Sequence, residues 1–375
     1  MKMLRKILLI FLNLYLYVID GIIDKILSHK KLHSFDLVLI KTDALGDAIL
    51  LRSLLKKSRI VNPKKILLIC DKKSECLYKD LDIKIFSLKS SKFKFNILYR
   101  IHMKKCLSHI FAKEVINAVP NSRYSTTEAI VKSINSLRKI RMVIDETTEI
   151  KYFNKISLKK YELVVKTKFL HEYFRLKQLI DISKMLSDEP NFKKTKNHKI
   201  DSNSITYAIT ASDNKRIFDS KKAAIIIQEL LKYKFKITLI GDKSDTKFAE
   251  DILEELSESL QNLVINKVGK ISLSKIEDFV SNSNFILCYD SFIGHLATDL
   301  SIPNLVILGG GNFGRFFPYP IEISDVSQII NYDMPCYNCN WQCNQNLINN
   351  SFQCIGKIDY MQVCCKILDT FEGNV

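Results

Sequence analysis

The feature that most constrains this chain is an alternation that runs twice: apolar runs of strand length, each followed by a stretch with helical spacing. Phe35–Lys41 (FDLVLIK) reads as a strand and Leu45–Lys57 as a helix with one apolar face. Lys65–Cys70 (KILLIC), Ile83–Leu88 and Glu114–Ala118 read as further strands, and the region from about 151 to 186 as mixed and largely helical. Ser187–Ser204 is polar, aperiodic and contains Pro190, so it reads as a linker. The pattern then restarts. Ile205–Thr210, Lys236–Ile240, Asn284–Tyr289 and Asn304–Leu308 read as strands, and Ser220–Tyr233, Asp245–Leu260 and Gly294–Leu300 as helices. Continuous apolar strands alternating with helices imply α/β architecture with a parallel, doubly wound sheet in each half. The expected organisation is an N-terminal helix over 1–30, two similar domains over 35–186 and 205–330 facing a central cleft, and a Cys-rich tail over 331–375. Ligands of such sheets sit at the carboxyl ends of the strands, so the loops there are where function is sought.

Charge narrows the partners. The 57 basic residues against 40 acidic ones leave a net charge of +17, which favours nucleic acid, an anionic membrane surface or phosphate-bearing substrates. The sequence holds no recognisable nucleic-acid-binding module and its charge is dispersed, so nucleic acid is not the expected partner. Lys2, Arg5 and Lys6 precede an apolar run from Ile7 to Ile19, which Asp20, Gly21 and Asp24 then interrupt. Thirteen residues of helix reach about 20 Å, short of a bilayer's hydrocarbon core. No small-x-small cleavage site follows. An amphipathic helix lying in the cytoplasmic face of an anionic inner membrane, or one packed on its own protein, fits this pattern.

Three loops carry chemistry. In the first, Lys41-Thr42-Asp43-Ala44-Leu45-Gly46-Asp47, the Asp47 carboxylate either takes a proton from a hydroxyl nucleophile or supports the helix start, where acids are favoured. The G-x-G-x-x-G of a dinucleotide site is missing. In the second, Thr210–Arg216, hydroxyls and the cations Lys215 and Arg216 suit a diphosphate, or form a solvated basic turn. In the third, Asp290 ends a strand and Ser291 enters a helix, with His295 one turn in; a lone histidine is more often a structural hydrogen-bonder than a ligand contact. Gly309-Gly310-Gly311 closes the next strand and permits close approach of backbone to phosphate, or is a plain flexible turn.

The stretch LVLIKTDALGDAILLRSLL resembles the opening of glycosyltransferase family 9, the family that includes the heptosyltransferases of lipopolysaccharide synthesis. CYDSFIGHLATDLSIPNLVILGGG resembles that family's D-[ST]-G-x-x-H segment with its following strand and glycine loop. Glu114–Tyr124 and His171-Glu172 are weaker echoes, and the likeness spans roughly residues 36–330. It implies a GT-B fold of two Rossmann-like domains and inverting transfer of a sugar, heptose or a relative, from a nucleoside diphosphate sugar to a hydroxyl of lipopolysaccharide or another cell-surface glycan. It makes Asp47 the catalytic base, with Lys215, Arg216, Asp290, Ser291, His295 and Gly309–Gly311 on the donor and Arg123 on the acceptor. No cofactor is implied for catalysis, because cationic side chains neutralise the leaving diphosphate. The enzyme would work in the cytoplasm, peripheral to the inner membrane. Phe292 stands where the family usually has glycine, and Ile217-Phe218 where it has Trp-Pro. Phe292 keeps a second reading open, that of a catalytically inactive sugar-nucleotide-binding member.

In the tail, Cys336-x-x-Cys339-x-x-x-Cys343 and Cys354 place four thiols at compact spacing. Four thiolates suit a structural zinc ion, an iron–sulfur cluster is a further use, and free thiols are the plain one.

Overall fold

A computed structural model describes residues 2–27, 33–120, 122–144, 158–167, 171–184, 186 and 202–372. All but the last three residues of the expected linker lie outside these. The chain divides into two compact units, Met1–Pro190 and Asn191–Val375.

The first unit carries a six-stranded sheet of β1 (His33–Lys41), β2 (Ile66–Asp71), β3 (Lys84–Leu88), β4 (Ile110–Asn117), β5 (Asn135–Ile144) and β6 (Leu163–Thr167). Their spatial order is β3-β2-β1-β4-β5-β6 and every pairing is parallel. The second unit repeats the plan with β7 (Ser204–Ala208), β8 (Lys236–Ile240), β9 (Val264–Asn266), β10 (Ile286–Tyr289), β11 (Asn304–Leu308) and β12 (Ser327–Asn331). Its order, β12-β11-β10-β7-β8-β9, is the same topology read from the other edge. Each sheet reverses direction once, between β1 and β4 and between β7 and β10. These are the switch points at which open α/β sheets bind ligands.

Helices of eight or more residues among the described ones are α1 (Lys2–Ile26), α2 (Leu45–Lys56), α3 (Ile97–Ser108), α4 (Glu172–Asp181), α5 (Ser220–Lys232), α6 (Thr246–Glu254), α7 (Phe292–Asp299) and α8 (Tyr360–Glu372). Val38, Ile40, Leu67, Ile69 and Val115 fill the first core. In the second, Ile205, Tyr207, Leu287 and Ile307 pack with Ile355, Ile358, Val363 and Ile367 of the tail. Phe371 of α8 meets Phe235 with ring centroids 4.7 Å apart. The tail is thus part of the second unit's core. The segment expected to be largely helical contains α4 but also the edge strand β6.

Helix α1 does not break at Asp20 or Asp24. Arg100 donates to Asp20 Oδ1 and Oδ2 at 2.7 and 2.6 Å, with both side chains buried. Asp24 pairs with Lys104 and Lys132, each at 2.7 Å. Burial works to raise the Asp24 pKa, but these two cations outweigh it and hold the carboxyl below its ordinary value. The acids that interrupt the apolar run are therefore anchors to the unit beneath. Phe11, Leu14, Tyr15, Val18, Ile22 and Ile26 form an exposed stripe at helical spacing. No helix among the described residues is long and apolar enough to cross a membrane.

Candidate functional site

In the first unit, β1 delivers Lys41 to the carboxyl edge of the sheet beside β4. The Lys41 side chain is buried, and its Nζ donates to Ala118 O at 3.1 Å and to Asp43 Oδ2 at 2.8 Å. Asp47 Oδ1 lies 3.7 Å from the same ammonium. Ala44 is the N-cap of α2, so Asp47 stands in the first turn without being the capping residue. One cation thus faces two carboxylates. Burial works to lower the Lys41 pKa, but the charges of Asp43, Asp47 and Glu172 overcome it and hold Lys41 above its ordinary value. Burial, and next the neighbouring Asp47 charge, push Asp43 up to about 7 against the pull of Lys41. Asp43 Oδ1 is buried and has no hydrogen-bond partner among the described residues.

Sequence reasoning singled out Asp47 and passed over Lys41 and Asp43. The available signal was a lysine closing an otherwise apolar strand, which needs a buried counter-charge. Glu172, reached by these charges, opens α4 against α2, with the His171 side chain accepting from Tyr173 N at 3.3 Å as its N-cap. Arg123 follows β4 with its side chain exposed. Behind it Asn117 donates to Ser122, Glu128 and Tyr161 at 2.9–3.1 Å, and Glu128 pairs with Arg141 at 3.1 Å, a buried network that fixes the loop.

In the second unit, the loop after β7 turns through Asn214–Arg216, with the Asp213 side chain accepting from Lys215 N at 3.0 Å. Lys215 is exposed. Arg216 folds inward: its guanidinium donates to Ser212 Oγ at 2.6 Å, lies 3.7 Å from Asp290 Oδ2 and sits over the Trp341 ring at 3.8 Å from the centroid. Burial lowers the Arg216 pKa, opposed first by the Asp290 charge. The β10 end is tied to the same region, since Tyr289 Oη meets Tyr207 Oη at 2.6 Å and accepts from Phe218 N at 3.2 Å. Ser291 is the N-cap of α7, yet makes no capping bond, and its buried Oγ has no hydrogen-bond partner among the described residues. Asp290, Ser291 and Arg216 thus gather at the switch point beside the positive end of a helix, a suitable place for phosphate oxygens.

The sequence profile of glycosyltransferase family 9 (heptosyltransferase) matches residues 142–345, more than half of the chain. The chain belongs to glycosyltransferase family 9. A lipooligosaccharide heptosyltransferase 2 of Haemophilus influenzae is 27% identical over 107 residues, covering 28% of this chain and 30% of that protein. The alignment therefore spans about a third of that curated relative. Among solved structures, a family 9 glycosyltransferase from Veillonella parvula superposes with a TM-score of 0.67 at 13% identity, covering 93% of this chain and 99% of that one. ADP-heptose lipopolysaccharide heptosyltransferase II of E. coli gives 0.64 at 14% identity, with 90% and 99% covered. The E. coli heptosyltransferase WaaC with ADP gives 0.59 at 13% identity, with the same coverage. The fold is GT-B, with two Rossmann-like domains.

His295 and Gly309–Gly311, expected on the donor, and Phe292, the departure from the family pattern, each sit against other parts of the unit in this family 9 chain. His295 is 3% exposed, stacked on Phe317 at 4.5 Å, and bonded through Nδ1 to Tyr319 Oη at 2.9 Å. These contacts hold the ring inside the unit. The glycine loop is covered on the side where side chains would project. A Cβ on Gly310 would fall 2.1 Å from Tyr337 Cδ1, one on Gly311 2.2 Å from Trp341 Cδ2, and one on Gly309 2.8 Å from Trp341 Cη2. Glycine is required there by the tail's aromatic rings. Phe292 takes the first position of α7, half-buried.

Cys336, Cys339, Cys343 and Cys354 are free thiols lining one cavity together with Tyr337, Trp341 and Phe352. Among the described residues no group of three or more His, Cys, Asp or Glu side chains is placed to hold a metal ion. The structural zinc ion was one of three uses that their spacing left open, and the described residues show no grouping for it. The rings of Tyr337 and Trp341 pack against the glycine loop.

Proposed function

We propose that this family 9 member transfers a sugar, heptose or a relative, from a nucleoside diphosphate donor to a hydroxyl of a cell-surface glycan such as lipopolysaccharide. The observation that carries the reading is the grouping of Arg216, Asp290 and the unspent Ser291 hydroxyl at the start of α7. In this reading Lys215, Arg216 and the helix end hold the donor's diphosphate, and Asp290 orients its sugar. Asp47 takes the proton from the acceptor hydroxyl, whose oxygen bonds to the anomeric carbon as the bond from that carbon to the diphosphate oxygen breaks. A single displacement of this kind inverts the anomeric centre. The two cations neutralise the leaving diphosphate, the role a metal ion plays in other transferases. Arg123, exposed after β4, is the acceptor contact in this reading. WaaC, a structural neighbour, is described with ADP and with ADP-2-deoxy-2-fluoro heptose, which supports an adenine nucleotide as the first donor to test.

The enzyme in this reading works on the cytoplasmic side of the inner membrane, bound peripherally. Helix α1 supports that part: its acids Asp20 and Asp24 are spent inward, so its outer face carries apolar and aromatic side chains. The half-buried Phe292 at the head of α7 supports the other reading, a member that binds nucleotide and does not turn over.

The test is isothermal titration of the full chain with ADP, UDP and GDP, followed by a transfer assay with the matching sugar nucleotides. Binding of one nucleotide, weakened in Arg216→Ala and kept in Asp47→Asn, is the expected result. Folded protein that binds none of them overturns the reading, and binding without transfer to any glycan acceptor selects the inactive alternative.

A further inference from the structure

The tail reaches into the donor region at several points. Asn338 N donates to Gly310 O at 2.7 Å and Asn340 N to Gly311 O at 2.8 Å. Beyond the cysteine loop, Phe352 N donates to Lys215 O at 2.8 Å and Ser351 Oγ to Ile217 O at 2.6 Å. The tail thereby grips both the glycine loop and the loop that carries the two cations. Between these grips, the Trp341 indole lies against Gly309 and Gly311, stacks with Phe352 at 5.6 Å, and carries the Arg216 guanidinium at 3.8 Å. Its Nε1 donates to the Asn312 side-chain oxygen at 3.0 Å in the amide orientation that satisfies both groups. Trp341 holds this position at φ +60°, a left-handed backbone that a bulky residue adopts only when its surroundings impose it.

Arginine has a long side chain with much freedom to lose, and a guanidinium stacked on an indole face is already ordered. Here the stack leaves the edge of the guanidinium toward Ser212 and Asp290, the same edge that the proposed donor's diphosphate would meet. Because Gly309, Gly311 and Phe352 wall in the indole, it serves better as a support than as a platform for a nucleotide base.

We propose that Trp341 is a positioning residue of the donor site, holding Arg216 ready for the diphosphate, and that the tail is a built part of that site. This rests on the donor reading of Arg216. It explains why three consecutive glycines stand at Gly309–Gly311: the rings of Tyr337 and Trp341 occupy the space side chains would take.

Trp341 is the only tryptophan of the chain, so its emission reports on the site without any substitution. The experiment titrates the full chain with ADP, UDP or GDP, whichever binds by calorimetry, while following tryptophan fluorescence. Calorimetric Kd is then measured for Trp341→Leu, Trp341→Phe, Arg216→Ala and the double variant Trp341→Leu/Arg216→Ala. Emission should change with the calorimetric Kd. Trp341→Leu should weaken binding about tenfold, and Trp341→Phe should recover most of it, since a smaller ring still supports a stacked cation. In the Arg216→Ala background, Trp341→Leu should have no further effect, because coupled residues do not act additively. Equal losses in both backgrounds overturn the proposal, as does unchanged emission while calorimetry records binding. If Trp341→Leu does not fold, the wild-type titration and Trp341→Phe decide. Absence of nucleotide binding by the wild type is a separate outcome, which overturns the donor reading itself.

Discussion

Lys41 and Asp43, two residues apart at the end of β1, are joined by a 2.8 Å hydrogen bond from a buried ammonium to a carboxylate. Asp47 faces the same ammonium from 3.7 Å, so three ionisable groups meet at the head of α2. Asp43 is raised from its ordinary 3.8 to about 7 by burial and then by the Asp47 charge. A raised carboxyl means that the folded chain holds a proton the unfolded chain releases. Its contribution to stability is therefore fully present below about 4 and is lost as pH rises through about 7. Asp43→Asn should flatten the fall in stability between pH 5 and 8, by an amount on the order of a few kcal/mol. Denaturant unfolding of both proteins across that range checks it, and parallel curves would count against a shared proton.

Asp47→Asn keeps the shape of the side chain and removes its basicity. If Asp47 is the base, turnover should fall on the order of 10²–10⁴-fold while nucleotide Kd stays within about twofold. Single-turnover transfer assays with calorimetry on the same samples separate the two. A variant with unimpaired turnover would move the basic role elsewhere.

Gly310→Ala would put a methyl 2.1 Å from Tyr337 Cδ1. A rigid ring buttressed by backbone hydrogen bonds cannot yield that distance cheaply, so a loss of about 1–3 kcal/mol is expected. Urea unfolding measures it. Unchanged stability would mean that the tail does not sit on the glycine loop in solution.

Asp20→Ala leaves Arg100 without its bidentate partner and Lys104 with one acid fewer. Breaking a buried pair on one side costs about 3–5 kcal/mol, and α1 should come loose from its unit. Limited proteolysis that cuts behind α1 in the variant, and spares it in the wild type, is the expected pattern.

The exposed stripe of α1 predicts membrane binding without a span. Phe11, Val18 and Ile22 changed together to Ser should lower co-sedimentation with phosphatidylglycerol vesicles at least several-fold and leave nucleotide binding intact. Equal sedimentation of variant and wild type would remove the stripe from the membrane reading. A concentration-dependent dimer lost in the variant would assign the stripe to self-association.

The strands at the middle of each sheet could be read from sequence because they are buried on both faces. The LVLI of FDLVLIK and the LVIL of NLVIL are continuous apolar runs for that reason. Other strands were harder. β5 (NSLRKIRMVI) interleaves cations with apolar residues, and β9 (VIN) and β12 (SQIIN) are too short to give a pattern. β6 (LVVKT) lies in a segment that reads as largely helical. At the candidate site, Asp47, Arg216, Asp290 and Ser291 could be nominated because each follows a strand's carboxyl end. Asp43 could not, since its perturbation depends on burial and on the Asp47 charge brought beside it.

The local order of apolar runs and breakers, repeated twice, was enough to determine the α/β architecture and to single out the loops where ligands are sought. Strand burial writes itself into consecutive residues. What only the tertiary structure decided are relations between residues far apart in the chain: Asp20 with Arg100, His295 with Phe317, and Trp341 with Arg216 and the glycine loop. A glycine, a histidine or an acid reads the same in sequence whether it meets a ligand or its own protein. Its role is set by the atoms that fill the space beside it, and folding alone brings those atoms together.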